Sequence, residues 1–332
     1  MNPIAQSGIA LEPIKPAASN GWHGIALCIA ALALLPLLLP YTALATNVLV
    51  YGLFALGYNL VFGRLGLLSF GHATFFGAGA YAAGIILTHQ APAGAGWLAP
   101  ALLCAVAIST LLALAMSFVA ARLRGIYLAM VTLALGQCAY FAALQAVDWT
   151  GGENGLSGVH VEPFALLGLR IDLTTPFTKY YAYFCVVAVV LIVMWRVLES
   201  PFGLAVEAVR ENEARAKACG YNANAIKMTA FAISGAVCGI AGAFKGLHLG
   251  LVPLETLSLH TAGLVVLTSL LGGMRTFFGP FIGALAILVI EDVLAVRTEH
   301  WQFFTGAIFV ACVLFFPQGI TGTLSAKWRG KQ

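Results

Sequence analysis

The side chains that could do acid–base or metal chemistry are few in this chain, and they are scattered. Glu291 and Asp292 are adjacent carboxylates near the end of an apolar run, but no histidine or cysteine cluster accompanies them. Lys245 and His248 are spaced to lie one turn apart on a helix. The chain has no Gly-x-x-x-x-Gly-Lys-Ser/Thr sequence, the loop that binds ATP phosphates in many ATPases. We therefore expect no catalytic site, metal or cofactor in this chain.

A different pattern lies between residues 66 and 81, where Ser69, His72, Thr74 and Tyr81 stand among glycines in an uncharged run. Polar groups at membrane depth need internal partners or water. In transporters, interrupted glycine-rich helices expose backbone groups to solutes. His72 is therefore either a residue of a solute path or a hydrogen-bonding residue between helices, and the sequence leaves both open.

Membrane-spanning helices must position these residues. Hydrophobic residues make up 61% of the 332, charged residues 9%, and the mean hydropathy is +0.92, whereas a soluble protein is about one quarter charged. We predict an all-α polytopic domain over 22–320 with about ten spans, eight to ten being compatible with the pattern. The predicted spans are 24–40, 46–63, 66–87, 98–121, 126–146, 181–197, 228–250, 260–273, 278–295 and 301–317, and the runs between 260 and 295 are also short enough for a re-entrant pair.

The distribution of basic residues predicts the topology. Thirteen Lys and Arg residues fall on one side of the predicted spans and three on the other, and the richer side is cytoplasmic in membrane proteins. We therefore predict cytoplasmic tails at 1–21 and 321–332, a cytoplasmic loop at 199–227 and an external loop at 147–180. The seven cysteines have no close pairing and are interpreted as small packing residues.

The loop at 199–227 contains the densest run of charge and carries helix signals. Ser200 is a typical N-cap and Pro201 suits the first helical position. Asn212 can cap a second short helix that stops at Gly220. In the following span, small residues at three- or four-residue spacing predict close packing against another helix. The sequence leaves open whether the packed helices slide between two states or stay fixed. The small residues are Gly235, Gly239, Gly242, Gly246 and Gly250.

Five segments together resemble the branched-chain amino-acid ABC permeases of the LivM type. In chain order these segments are 66–81, 123–133, 150–158, 200–220 and 271–284. They are similar to the family's Ser-x-Gly-His-Ala signature, Leu-Arg-Gly-x-Tyr segment, Thr-Gly-Gly external loop, cytoplasmic coupling loop and Gly-Gly…Gly-Pro…Gly-Ala segment. Two departures are that Arg275 replaces a glycine and that the coupling loop is one residue longer before Gly220.

The resemblance implies a permease subunit of an ATP-driven importer in the bacterial inner membrane. Its partners would be a second homologous permease in a heterodimer, two cytoplasmic ATP-binding subunits, an external solute-binding protein and the lipid bilayer, with no nucleic acid. ATP would be bound by the partner subunits. The solute would be a branched-chain or related amino acid, and the alternatives are urea, short amides and aromatic carboxylates.

The same resemblance, with the reading of the residues above, gives the candidate site residues. Those for ATPase coupling are Glu207, Arg210, Glu213, Arg215, Ala216 and Gly220; those for the translocation path are Ser69, Gly71, His72, Tyr81, Thr132, Lys245 and His248; and those for contact with the binding protein are Glu153 and Asn154. The family has an uncharged residue near Lys245, so this lysine either marks an anion-tolerant path, snorkels to the external face or pairs with Glu255.

Two other classes of protein are weighed against the importer. An ion-coupled secondary transporter would need buried acidic residues, but the formal charges between residues 20 and 147 are Arg64, Arg122 and Arg124, all near span ends. A membrane-embedded enzyme would need titratable clusters at one depth, and the histidines are scattered. A scaffold role would leave the glycine-rich segment at 66–81 unexplained.

Overall fold

The computed structural model describes residues 21–89, 95–123, 125–161, 164–166, 169–171, 175–274 and 276–297, together with single residues between His300 and Thr321. Its helices are α1 (Gly21–Leu38), α2 (Thr42–Asn59), α3 (His72–His89), α4 (Leu98–Ala120), α5 (Ile126–Gln145), α6 (Val147–Thr150), α7 (Pro176–Glu199), α8 (Pro201–Glu211), α9 (Glu213–Ala218), α10 (Ala223–Leu249), α11 (Leu259–Gly272) and α12 (Gly279–Arg297). The short strands are β1 (Leu156–Ser157), β2 (Phe164–Leu166), β3 (Leu169–Ile171) and β4 (Leu251–Val252), paired antiparallel as β1–β4 and β2–β3.

Nine of the described helices overlap predicted spans. Within the described residues, six helices are long and apolar enough to cross a membrane: α2 with its π-helical extension Leu60–Arg64, α4, α5, α7, α10 and α12. The apolar part of α1 and all of α11 are shorter. Most of the span predicted at 301–317 lies outside the described residues. The region 260–295 forms two helices, α11 and α12, joined by a short turn at the end of the bundle where α8 and α9 lie.

The third predicted span was wrong at its start. It was expected to begin at residue 66, but residues 65–71 are not helical and α3 begins at His72. Gly66 has φ +76°, a left-handed conformation that ends the preceding helical segment. The chain between α2 and α3 is therefore an irregular segment inside a bundle of helices.

Two helices form the centre of the bundle. The most apolar stretch of α2 is 89% buried and that of α10 is 72% buried, whereas those of α4, α5 and α7 are at most 28% buried. α10 packs on α2, α3 and α4. The sequence prediction of close packing by the α10 glycines is confirmed, because a Cβ at Gly235 or Gly239 would overlap α4 and one at Gly242 would overlap the backbone of α3.

The charged stretch folds as the capping residues predict. Ser200 accepts a hydrogen bond from the Phe202 N–H at 3.2 Å, and α8 starts at Pro201. Asn212 accepts from the Arg215 N–H at 3.0 Å and begins α9. At the end of α9, Gly220 has φ +89° and its N–H bonds the Lys217 carbonyl at 3.0 Å, in a Schellman-type ending. The two short helices are therefore specified by local sequence.

Candidate functional site

The irregular segment 65–71 brings the start of α3 into the interior of the bundle. His72, the first residue of α3, contacts Ser234, which lies about 17 Å along α10 from its first residue. Irregular backbone at this depth is tolerated only when its polar groups are satisfied inside the protein. The Phe70 N–H donates to Thr132 Oγ1 at 3.1 Å, and the Gly71 N–H donates to Ser69 Oγ at 3.3 Å. Side-chain oxygens of α5 and of the segment itself therefore accept the hydrogen bonds that backbone carbonyls accept in a helix.

His72 is held between two serines. Its Nδ1 lies 3.1 Å from Ser69 Oγ, and its Nε2 lies 3.1 Å from Ser234 Oγ. The Ser234 hydroxyl donates to the Gly57 carbonyl at 2.7 Å, so its oxygen must accept from Nε2–H. Ser69 Oγ accepts from the Gly71 N–H and lies within hydrogen-bond distance of Nδ1. The imidazole therefore carries a proton on Nε2, and it links the irregular segment to α10 and α2.

The surroundings of His72 are closed. The side chain is fully buried, and the rings of Tyr58, Phe75 and Phe231 lie 4.9 to 5.7 Å from its own. Of the two interpretations that the sequence left open, the geometry is that of a hydrogen-bonding residue between helices. Four of the predicted path residues, Ser69, Gly71, His72 and Thr132, are brought together in this one cluster.

The other predicted path residues lie nearer the opposite end of the bundle. Tyr81 is 6% exposed and stands about 13 Å beyond His72 along α3. Lys245 donates to Asn47 Oδ1 at 3.0 Å, and its ammonium group lies 4.9 Å from the centre of the Tyr51 ring. The Glu255 carboxylate forms its direct salt bridge with His260 at 3.3 Å, and Lys245 bonds Asn47 instead. His248 is partly buried on the next turn of α10.

Helix α8 is fixed to the end of α2 by two charged contacts. Arg64 forms a salt bridge with Glu207. The Arg210 guanidinium donates to the carbonyl of Gly63, which lies in the π-helical turn. Because a π-helical turn shifts backbone carbonyls out of the regular α-helical pattern, a side-chain donor at this position stabilises it. α8 is therefore attached directly to the residues that lead into the irregular segment 65–71.

Glu213 attaches α9 to the start of α10. Its carboxylate accepts from Lys227 and from Lys217, each at 2.8 Å. The Lys227 side chain is 3% exposed and also reaches the Ala121 carbonyl at 3.4 Å, at the end of α4. A buried lysine of this kind requires a partner carboxylate. Glu213 thus holds α9, α10 and α4 together.

The six predicted coupling residues divide into two faces. Glu207, Arg210, Glu213 and Ala216 face the membrane domain, whereas Arg215 and Gly220 are exposed. A cavity of about 460 Å³ is bordered by the attached face and by the irregular segment. It is lined in part by Leu65, Gly66 and Leu67 of that segment and by Arg210 and Glu213.

Sequence reasoning missed the partners Arg64 and Lys227, which it used only to assign topology. Their positions at span ends, near a loop rich in acidic residues, were the sequence signal that could have identified these ion pairs.

At the other end of the bundle, Glu153 and Asn154 are exposed on a short 3₁₀ turn before β1, which pairs with β4. Among the described residues, no group of His, Cys, Asp and Glu could hold a metal ion, and the six described cysteines are free.

The fold is that of a multi-pass helical membrane protein with a pair of attached charged helices at one end. Residues 41–313 match the family model of the branched-chain amino acid transport system permease component, and the chain belongs to that family. It is 30% identical over 298 residues to the high-affinity branched-chain amino acid transport system permease protein LivM of Salmonella typhimurium, covering 83% of this chain and 69% of the relative. It is 31% identical over 299 residues to LivM of Escherichia coli, with the same coverage.

A more distant similarity points to the same class of protein. The autoinducer 2 import system permease protein LsrC of Klebsiella pneumoniae is 31% identical over 137 residues, which are 39% of this chain and 40% of the relative. No solved structure matches the chain. The sequence-based assignment to the LivM-type permeases is confirmed by the family model and by both LivM relatives.

Proposed function

We propose that this chain is one of two membrane-spanning subunits of an ATP-driven importer in the bacterial inner membrane. Its partners would be a homologous permease subunit, two cytoplasmic ATPases and an external solute-binding protein. The observation that carries the proposal is the attachment of α8 and α9 to the membrane domain through Glu207, Arg210 and Glu213. A freely moving loop could not transmit force, whereas helices held by buried and half-buried contacts move with the domain as a rigid body.

In this account the two faces of the charged stretch have different roles. The exposed face of α9, with Arg215 and the αL residue Gly220, meets the ATPase subunit. The attached face passes the displacement to α2 through Gly63 and to α10 through Lys227. ATP is bound by the partner subunits, in keeping with the lack of a phosphate-binding loop sequence in this chain.

The irregular segment 65–71 is the part of the bundle interior that this displacement would move. The π-helical turn that Arg210 contacts is followed directly by residues 65–71 and the His72 cluster. Ser69, Gly71, His72 and Thr132 hold the segment in one shape, and a shift of the turn would move the start of α3. The solute path then runs between α3 and the second subunit, past Tyr81 and towards Lys245 and His248.

The proposed solute is a branched-chain or related amino acid. The two LivM relatives named above are branched-chain amino acid permeases, and this supports the proposal. The external binding protein would contact the turn that carries Glu153 and Asn154, which is exposed at the end away from α9. Urea, short amides and aromatic carboxylates remain the alternative solutes within the same importer class.

Reversing one exposed charge tests the assignment of the ATPase face. Arg215→Glu should sharply lower the amount of ATPase that co-purifies with the permease in detergent, because Arg215 lies on the exposed face of α9. Glu211→Lys, an equally exposed reversal at the end of α8, is the matched control and should lower it less. Equal retention of ATPase by the wild type and Arg215→Glu would contradict the assignment of this face.

A further inference from the structure

The first turn of α3 carries a buried hydroxyl group that has no hydrogen-bond partner in the described part of the chain. Thr74, the third residue of α3, is 4% exposed, and its Oγ1 bonds no atom of the described residues. Buried hydroxyls are normally hydrogen-bonded, because an unsatisfied one loses its bonds to water without a replacement. A valine would fill the same volume without that cost. The Thr74 hydroxyl is therefore a candidate ligand-binding group.

Gly136 of α5 leaves this hydroxyl uncovered by a side chain. α5 packs on α3, and a Cβ added at Gly136 would lie 3.6 Å from Thr74 Oγ1 and 3.7 Å from the carbonyl oxygen of Phe70. A hydroxyl donor and a carbonyl acceptor thus lie within 3.7 Å of one point, where the facing residue has no side chain. One small polar group placed at that point can bond both.

The N-terminus of α3 lies at the same place. Gly71, which precedes α3, has no side chain that could cap the helix. The first N–H groups of a helix carry a partial positive charge, which favours a bound anion, and interrupted helices of transporters bind solute carboxylates in this way. The helix end and the Thr74 hydroxyl therefore favour a carboxylate, whereas the Phe70 carbonyl favours an ammonium group.

The same face of α3 continues towards the opposite end of the bundle. Tyr81 lies seven residues after Thr74, which is about two helical turns, so the two side chains share a face. The Tyr81 hydroxyl is also buried and also bonds no atom of the described residues. These two hydroxyls form a polar line about 10 Å long on α3, along which a solute can reach the first turn.

We propose that the first turn of α3, facing Gly136, is the inner binding site for the α-amino carboxylate group of a zwitterionic solute. The solute carboxylate accepts from the Thr74 hydroxyl at the positive end of α3, and the solute ammonium donates to the Phe70 carbonyl. The site opens when α5, whose most apolar stretch is 22% buried, moves away from α3. This inference rests on the proposed function, because it places a solute site in the importer's path.

Uptake of radiolabelled leucine by the complete assembly in proteoliposomes tests the hydroxyl. Thr74→Val, which keeps the volume of the side chain, should lower uptake about tenfold or more, whereas Thr74→Ser should stay within about twofold of wild type. Thr110→Val removes another buried hydroxyl without a partner among the described residues, on α4, and should leave uptake unchanged. Wild-type uptake by Thr74→Val would overturn the proposal.

The melting temperature of the permease separates a solute contact from a structural one. Thr74→Val should melt at or above the wild-type temperature, because it removes an unsatisfied buried hydroxyl. A melting temperature clearly below that of wild type would mean that the hydroxyl has a protein partner, and it would overturn the site.

Gly136→Ala tests the space between α3 and α5. The new Cβ would make only ordinary contacts, at 3.6 Å or more, and alanine favours a helix more than glycine does, so the permease should be as stable as wild type. The methyl group would occupy the point that both polar atoms share, and uptake should fall about tenfold or more. Gly263→Ala on α11, whose Cβ meets open space, is the matched control. Unchanged uptake by Gly136→Ala would contradict the site.

A measurement on the wild-type chain keeps the proposal falsifiable if the variants misfold. In detergent, leucine should raise the melting temperature of the permease, whereas 4-methylpentanoate and 3-methylbutylamine, which lack the ammonium and the carboxylate group respectively, should raise it less. Equal shifts by all three compounds, or no shift with leucine, would refute the site. Failure of the proposed function would show differently, as wild-type assemblies without ATP-dependent uptake.

Discussion

Replacing Glu213 by glutamine should release α9 from the membrane domain. The Lys227 side chain is 3% exposed and depends on this carboxylate at 2.8 Å, since its other described acceptor is the Ala121 carbonyl at 3.4 Å. Removing one partner of a buried ion pair costs about 3–5 kcal/mol. The lower value applies here because Glu213 is 13% exposed. A loss of about 3 kcal/mol changes the ratio of docked to undocked α9 roughly a hundredfold.

Hydrogen exchange followed by mass spectrometry measures that ratio directly. Amides of residues 213–221 should exchange roughly a hundredfold faster in Glu213→Gln, while those in the middle of α10 keep their protection. In the reconstituted importer, the same variant should hydrolyse ATP with less uptake per ATP. Lys217→Met is the control, because it removes the exposed partner of the same carboxylate in a pair worth about 0.3–0.5 kcal/mol, or roughly a twofold change. Equal exchange in the two variants would refute the role of Glu213 as the attachment of α9.

Two further predictions concern the packing of the bundle. Gly242→Ala should strongly reduce the amount of folded permease, because its Cβ would overlap the Phe76 carbonyl and force α10 away from α3. Gly263→Ala, where the new Cβ meets open space, should leave that amount unchanged. Size-exclusion chromatography of both variants measures the amount of folded protein. Ser234→Ala should cost about 1–3 kcal/mol, because it leaves the His72 Nε2–H without its acceptor; a melting temperature equal to that of wild type would contradict the assigned hydrogen bonds.

The elements that depend on local sequence could be predicted. Hydropathy located the six helices that are long and apolar enough to cross a membrane in the described part of the chain. The capping residues Ser200, Asn212 and Gly220 predicted the ends of α8 and α9 correctly, because a cap acts on backbone groups within a few residues. The α10 glycines predicted close packing because their three- and four-residue spacing places small residues on one face of the helix. The start of α3 was wrong because residues 66–71 are as apolar as a helix, and hydropathy cannot show that their N–H groups bond side chains instead.

The site depended on contacts that are distant in sequence. Glu213 was predicted to meet the ATPase, and its inward orientation depends on Lys227, fourteen residues later, and on the end of α4. The attachment of Arg210 to Gly63 joins residues 147 positions apart. Such pairs follow from the packing of α2, α4 and α10, which no local pattern in the sequence determines.

The measurement that tests the central claim most directly is transport by the purified chain, with and without its proposed partners, in proteoliposomes. The account predicts leucine uptake only when two ATPase subunits, a second permease and a loaded binding protein are present, with uptake that follows ATP hydrolysis. Transport by this chain alone, driven by an ion gradient, would contradict it. In that case α8 and α9 would be an attached linker, and the chain would be a secondary transporter.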